Sequence, residues 1–229
     1  MDAFHERLAR TGLAAARRYG FALAGGYAVQ AAGLLERPSE DVDLFTAWDR
    51  RDEFSTAVTA VVDAYRDDGL TVDIERQYDT FARLTVTEGT RASKVELGVD
   101  WRANEPILMA IGPVLHPDDA VANKMSALYG RAFARDFIDI DATLRSGRYT
   151  HEALLDLVQH ADRGFDRRIF ADALGQASRL DPDEFAPYGV TGRALDDLRD
   201  QFAAWRRKLL DGQQGTLSSE ASTTNTTTL

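Results

Sequence analysis

The 229-residue sequence predicts an α+β fold: a mixed sheet with flanking helices, followed by an all-helical region. Apolar runs of strand length alternate with helical periodicities up to about residue 115, and beyond that point the periodicity is helical alone. With 44% hydrophobic residues, a chain of this length can bury a proper core.

Residues 2–19 place Phe4, Leu8, Leu13 and Ala16 in helical rhythm and stop at Gly20, so a first helix is expected there rather than the uninterrupted apolar run of a leader. "FALA" (21–24) reads as a short strand. Gly25 and Gly26 turn the chain into a second helix reaching about Leu35, "ERPSE" is loop, and "DVDLFT" is the next strand. Residues 51–67 carry Phe54, Val58, Val61, Val62 and Tyr65 on one helical face. After Gly69 come three strand-like runs, "TVDIERQY", "FARLTVTE" and "KVELGVDW", whose junctions "YDT" and "EGTRAS" suit hairpins. Pro117 opens a helical stretch that breaks near Gly130 and ends at Gly147, with further helix expected from Tyr149 onward. The chain thus divides into a core over 1–115, a helical region over 116–210 that would complete an active-site cleft, and a Ser/Thr/Gly/Gln-rich tail over 211–229 that is expected to be disordered.

Composition excludes several chemistries. The sequence has no cysteine, which removes disulfide scaffolds, thiolate nucleophiles and Cys-ligated zinc, and makes the cytoplasm the default address. With 27 Lys and Arg against 37 Asp and Glu, the net charge of −10 argues against a general basic surface for nucleic acid, so such a partner needs a local basic patch. No run of about 18 apolar residues is present to span a bilayer.

The chemistry-bearing residues begin with Asp41 and Asp43. Two positions apart on a strand, they leave the same face, roughly 6 to 7 Å apart at Cβ, where both carboxylates reach one hard cation. Exposed edge strands also carry such pairs. Gly25 and Gly26 let a strand-to-helix turn bring backbone N–H groups close to an anion, although a Gly-Gly pair also makes a plain tight turn. Ser39, two residues before Asp41, would place its hydroxyl near a bound triphosphate. It equally suits a turn after Pro38. A third metal carboxylate is expected from the adjacent strand, and Glu96, alternating with Val95, Leu97 and Val99, is the candidate, with Asp100 of the same parity behind it. Farther on, Lys124 and Arg131 share a side two helical turns apart, and Asp136 and Asp139 share a face. Such groups serve as triphosphate clamp and acceptor to a substrate, or as a surface ion-pair network.

Taken together, "LAGGYAVQ", "SEDVDLF" and "KMSALYGRAFARDFIDI" resemble the AbiEii/AbiGii-type nucleotidyltransferase toxins, the group that includes the mycobacterial MenT toxins, within the polymerase-beta-like nucleotidyltransferase superfamily. The similarity covers most of residues 20–145 and implies a polymerase-beta-like core. It also implies an enzyme: Asp41 and Asp43, with Glu96, would hold Mg2+ or Mn2+, and Gly25, Gly26 and Ser39 would lie on the triphosphate of an NTP substrate. Lys124, with Arg131 and Asp136 nearby, would contact phosphate, and Asp139 would complete the site. Such toxins are similar to enzymes that add nucleotides to the 3′ end of tRNA, and they are paired with an antitoxin. The sequence departs from the pattern in a slightly longer spacer, 27–40, and in Tyr27, where a small hydroxyl residue is commoner. The same catalytic strand also suits an aminoglycoside-type adenylyltransferase or a non-catalytic nucleotide- or antitoxin-binding module. For a tRNA acceptor the basic surface would come from Arg131, Arg135, Arg145, Arg148 and the Arg206–Lys208 cluster, each interleaved with acids.

Overall fold

The structure is a computed structural model that describes residues 1–37 and 39–223, with side chains described as far as Asp211. It divides into two compact units, Met1–Asn123 and Lys124–Leu229.

In the first unit, helix α1 (Ala3–Ala15) is capped by the Asp2 carboxylate, which accepts from the backbone N–H groups of Phe4 and His5. It ends earlier than the sequence suggested, because Arg17–Tyr19 tighten into a 3-10 turn and Gly20 takes φ +72. Strand β1 (Ala22–Leu23), helix α2 (Gly25–Ala31) and strand β2 (Asp41–Ala47) follow. Helix α2 stops at Ala31 rather than Leu35, since Gly33 at φ +71 turns the chain and Leu34 N–H bonds back to the Val29 carbonyl. Helix α3 (Phe54–Asp67) carries the predicted face, with Phe54, Val58, Val61, Val62 and Tyr65 all buried.

The strand-like runs are β3 (Thr71–Gln77), β4 (Phe81–Glu88) and β5 (Arg91–Asp100). The β4–β5 connection is tighter than the six residues expected, as Glu88 already pairs with Arg91. Two short strands unread in the sequence, β6 (Ile107–Met109) and β7 (Gly112–Val114), complete a mixed sheet of order β3-β4-β5-β2-β1-β7-β6. Three residues per strand are too few to show a period of two. Strands β2 and β5 run parallel, as do β1 and β7, while the other pairs are antiparallel.

Val42, Leu44, Ala82, Leu84, Val86, Val95 and Leu97 are fully buried on the sheet face that α1 and α3 cover. The approach is close at Gly12 of α1, which lies against Leu44 and Tyr65, while the Tyr65 hydroxyl donates to the Leu8 carbonyl at 2.9 Å.

Helix α4 (Pro117–Gly130) begins at the expected proline, and the division between units falls inside it, after Asn123, where the sequence placed the change of character at about residue 115. The second unit continues with α5 (Ala134–Arg145), α6 (His151–Ala161), α7 (Arg167–Leu174), α8 (Pro182–Phe185) and α9 (Arg193–Thr223). Aromatic rings form its core: Phe137 meets Phe202 edge-on with centroids 5.0 Å apart, and Phe170 meets Trp205 in the same way at 5.3 Å. Leu198, Phe202, Trp205 and Leu209 anchor α9, which carries the helix to Thr223, past residue 211 where disorder was expected to begin. Extending an anchored helix costs far less than starting one. The rest of the expected tail, 224–229, lies outside the described residues. No described helix is long and apolar enough to cross a membrane.

The Gly12 contact yields a stability prediction. A Cβ there would sit 2.6 Å from both Leu44 Cδ1 and the Tyr65 hydroxyl oxygen, and neither fully buried side chain has room to yield. Helix propensity would favour Gly12→Ala by about 1 kcal/mol. Overpacking costs about 1–3 kcal/mol and should win. The expected result is a lower urea midpoint at unchanged m-value; a midpoint equal to or above the parent's would show that α1 is not seated this closely.

Candidate active site

Parallel pairing of β2 with β5 sets Asp43 beside Glu96, and the period of two puts Asp41 on the same face. One carboxylate oxygen from each of Asp41, Asp43 and Glu96 lies within 4.8 Å of the others. Asp43 is buried and the other two are half-buried. The sequence's preference for Glu96 over Asp100 follows from distance along β5. Asp100 pairs with Ala47 at the far end of β2, where it holds Arg102 at 3.0 Å and accepts from Asn123 at 3.2 Å. Burial pushes the Asp100 carboxyl above its ordinary range, against the pull of Arg102.

The Gly-Gly pair is demanded by the same strand. Gly25 takes φ +58, and a Cβ there would fall 1.7 Å from Asp43 Oδ2; one on Gly26 would fall 2.6 Å from Ser39 Oγ. The space left by the two missing side chains is therefore occupied by the carboxylate and the hydroxyl of the candidate site. Ala24 N–H donates to the Asp43 carbonyl at 2.8 Å, which ties the turn to the strand, and Ser39 Oγ lies 3.4 Å from Asp41 Oδ1.

Three residues that sequence reasoning missed support this arrangement. Arg83 on β4 donates to Glu96 Oε1 through Nε at 2.8 Å and Nη2 at 2.7 Å, supplying positive charge to the cluster. Its signal was present: counting outward from the Glu88–Arg91 pair brings Arg83 opposite Glu96. His5 on α1 and Ser93 on β5 explain Tyr27, whose hydroxyl turns inward to lie 2.5 Å from His5 Nδ1, while His5 Nε2 lies 2.7 Å from Ser93 Oγ. Burial pushes the Tyr27 hydroxyl up to about 12 and the His5 imidazole down, favouring a neutral hydrogen-bonded ring. No sequence spacing announces contacts between residues so far apart in the chain.

In the second unit, Lys124 Nζ lies 2.7 Å from Asp139 Oδ2, and the aspartate is fully buried. The corner between α4 and α5 that sets this pair is stiff. Asp136, also fully buried, takes a two-pronged bond from Arg131 at 2.9 Å and caps α5 by accepting from Phe133 N–H at 3.1 Å. Ala132 between them adopts φ +50. Arg131 and Asp136, expected from the sequence to be nucleotide-binding, bond to each other and brace this corner. Several expected basic-surface residues have local acceptors: Arg145 pairs with Asp141 at 2.7 Å and Arg206 donates to the Ala171 carbonyl at 3.1 Å.

Two variants probe this geometry. Gly25→Ala should displace the Asp43 carboxylate, and an error of about 1 Å in such a group costs roughly 100-fold in rate; Mn2+ affinity measured by paramagnetic resonance should fall with it. Unaltered Mn2+ affinity would refute the close approach. Lys124→Met should leave Asp139 buried without its cation, lowering unfolding stability by about 3–5 kcal/mol in urea titrations. A change under about 1 kcal/mol would mean that the pair is solvated.

Comparison with known proteins places this geometry in context. Residues 8–216 match the family described as nucleotidyl transferase AbiEii toxin, type IV TA system. No curated protein matches the sequence significantly. Among solved structures, a candidate nucleotidyltransferase from H. pylori aligns over 93% of this chain and 96% of its own at 16% identity, with a TM-score of 0.55. MenT4, a nucleotidyltransferase toxin from Mycobacterium tuberculosis H37Rv, aligns over 90% of this chain and 86% of its own at 17% identity, with a TM-score of 0.50. At such identities the two structures speak to the fold, a mixed sheet of nucleotidyltransferase type followed by a helical region. The family match spans nearly the whole chain, and the chain therefore belongs to the AbiEii nucleotidyltransferase toxin family.

Proposed function

We propose that this toxin transfers a nucleoside monophosphate from a nucleoside triphosphate to the 3′ end of tRNA, in the cytoplasm, and is held in check by a cognate antitoxin. The observation that carries the reading is the convergence of Asp41, Asp43 and Glu96 beside the Gly25–Gly26 turn. An all-oxygen set of carboxylates suits a hard cation, Mg2+ or Mn2+, better than a softer metal. The three would hold it, and when bound it would offset charge gathering on the transferred phosphoryl group.

The chain's own groups do the rest. The backbone N–H groups of the Gly25–Gly26 turn meet the triphosphate, with the Ser39 hydroxyl alongside, while the absent Cβ atoms leave room for Asp43 and Ser39. The acceptor 3′-hydroxyl gives its proton to one of the site carboxylates as its oxygen bonds to the α-phosphorus. The bond from that phosphorus to the bridging oxygen breaks, and pyrophosphate departs with the electron pair. Lys124 is assigned to the departing phosphates, and Asp139 to holding the ammonium until phosphate is offered. Tyr27 has no part in binding, because its hydroxyl is spent on His5.

Incubation with each α-labelled nucleoside triphosphate, Mg2+ and total tRNA tests this reading. Label should enter RNA with the parent protein and fall to the protein-free background with Asp43→Asn, an isosteric change that keeps the fold. Label on an aminoglycoside in a parallel reaction, or no label anywhere, would replace the proposal with a small-molecule transferase or a binding module respectively.

A further inference from the structure

At the opposite end of β2 from the carboxylates, four residues beyond Asp43 and so about 13 Å along the strand, the first unit has a cavity of about 650 Å³. Asp41, Asp43 and Glu96 are not among the residues that line it. Two of the protein's three tryptophans line it, Trp48 and Trp101, with 56% and 41% of their surface exposed. Arg17, Arg50, Asp49, Asn104 and Glu105 also line it.

The wall is built at some expense. Arg102, almost wholly buried, donates to Asp100 at 3.0 Å and to the Phe45 carbonyl at 2.8 Å. Asp119, also buried, accepts from Ala103 N–H at 2.9 Å and Asn104 N–H at 3.0 Å. Charges are costly to bury, and here they pin the short segment that holds Trp101 exposed. The sheet requires no such indole, and an apolar ring left in water without a partner is what binding surfaces display.

The chemistry of the wall selects an occupant. Exposed indoles stack planar rings. The Arg51 guanidinium covers one face of Trp48 at 5.2 Å, leaving the other for a ligand. Arg17 is exposed and forms no ion pair among the described residues, so its charge is available to an anion. Arg17 and Arg50 line the cavity on a chain of net charge −10, and Arg50 is paired with Glu53 at 3.5 Å, which leaves Arg17 as the cation offered. Asn104 and Glu105 offer acceptors for the amino groups of a heterocycle. A neutral sugar would use the indoles but not Arg17. A polycation would use the acids but not Arg17.

We propose that this cavity binds a nucleotide, its base stacked on Trp101 and Trp48 and its phosphate on Arg17, either as a free nucleotide or as one unit of a single-stranded RNA. The site is separate from the catalytic carboxylates and independent of whether transfer to tRNA is the reaction.

Quenching of tryptophan fluorescence and calorimetry on the full chain, in EDTA and without turnover, test it. The ligands are the four nucleoside 5′-monophosphates, a single-stranded pentaribonucleotide, glucose and neomycin. Saturable quenching by a monophosphate or the pentamer is expected, weakened about 10-fold or more by Arg17→Glu, which keeps both indoles, and by Trp101→Leu in calorimetry. Equal affinity of monophosphate and pentamer identifies a free nucleotide as the source, and tighter pentamer binding identifies a strand. Absence of binding up to millimolar ligand, binding undiminished in both folded variants, or preference for glucose or neomycin would overturn the proposal. If Trp101→Leu proves unstable by thermal melting, the exposed Arg17→Glu variant decides alone.

Discussion

Three carboxylates within reach of one another repel, and the first unit is arranged around tolerating that repulsion. Arg83 supplies one compensating charge, and the register of two parallel strands keeps Asp43 and Glu96 adjacent. The turn after β1 has to be glycine because the Asp43 carboxylate occupies the volume a side chain would need. Sequence, backbone and electrostatics are thus joined at one point. The costly features of the stretch "LAGGYAVQ…SEDVDLF", paired glycines and paired acids, account for each other.

The second unit shows the same economy with ionic groups in a different setting. Lys124 and Asp139 are drawn together by a corner whose own charges, Arg131 and Asp136, are satisfied locally. A fully buried carboxylate holding a nearly buried ammonium is a pair that neither partner can leave without an uncompensated charge.

Much of this was legible in the sequence because short-range patterns carry it. The alternation in "KVELGVDW" set Glu96 opposite Val95 and Leu97, and the i, i+2 spacing put Asp41 and Asp43 on one face. Pro117 marked the start of α4, and the apolar rhythm of 54–65 marked α3. Contacts bridging distant segments stayed hidden. Tyr27 looked like a substituted ligand contact, and only the meeting of α1 with β5 reveals a buried partner, His5. The bond between Arg131 and Asp136 was hidden because spacing shows which residues can share a face but not which of them meet. The β6–β7 hairpin was missed because its pairing depends on β1, more than eighty residues earlier in the chain.

The guanidinium bonded to Glu96 has a further consequence for charge balance. Asp41, Asp43 and Glu96 bring more negative charge together than the Arg83 guanidinium on Glu96 offsets, which favours a cation among them. A phosphate-bearing ligand entering beside these carboxylates without a cation would meet charge of its own sign, so a cation and such a ligand would favour each other's arrival.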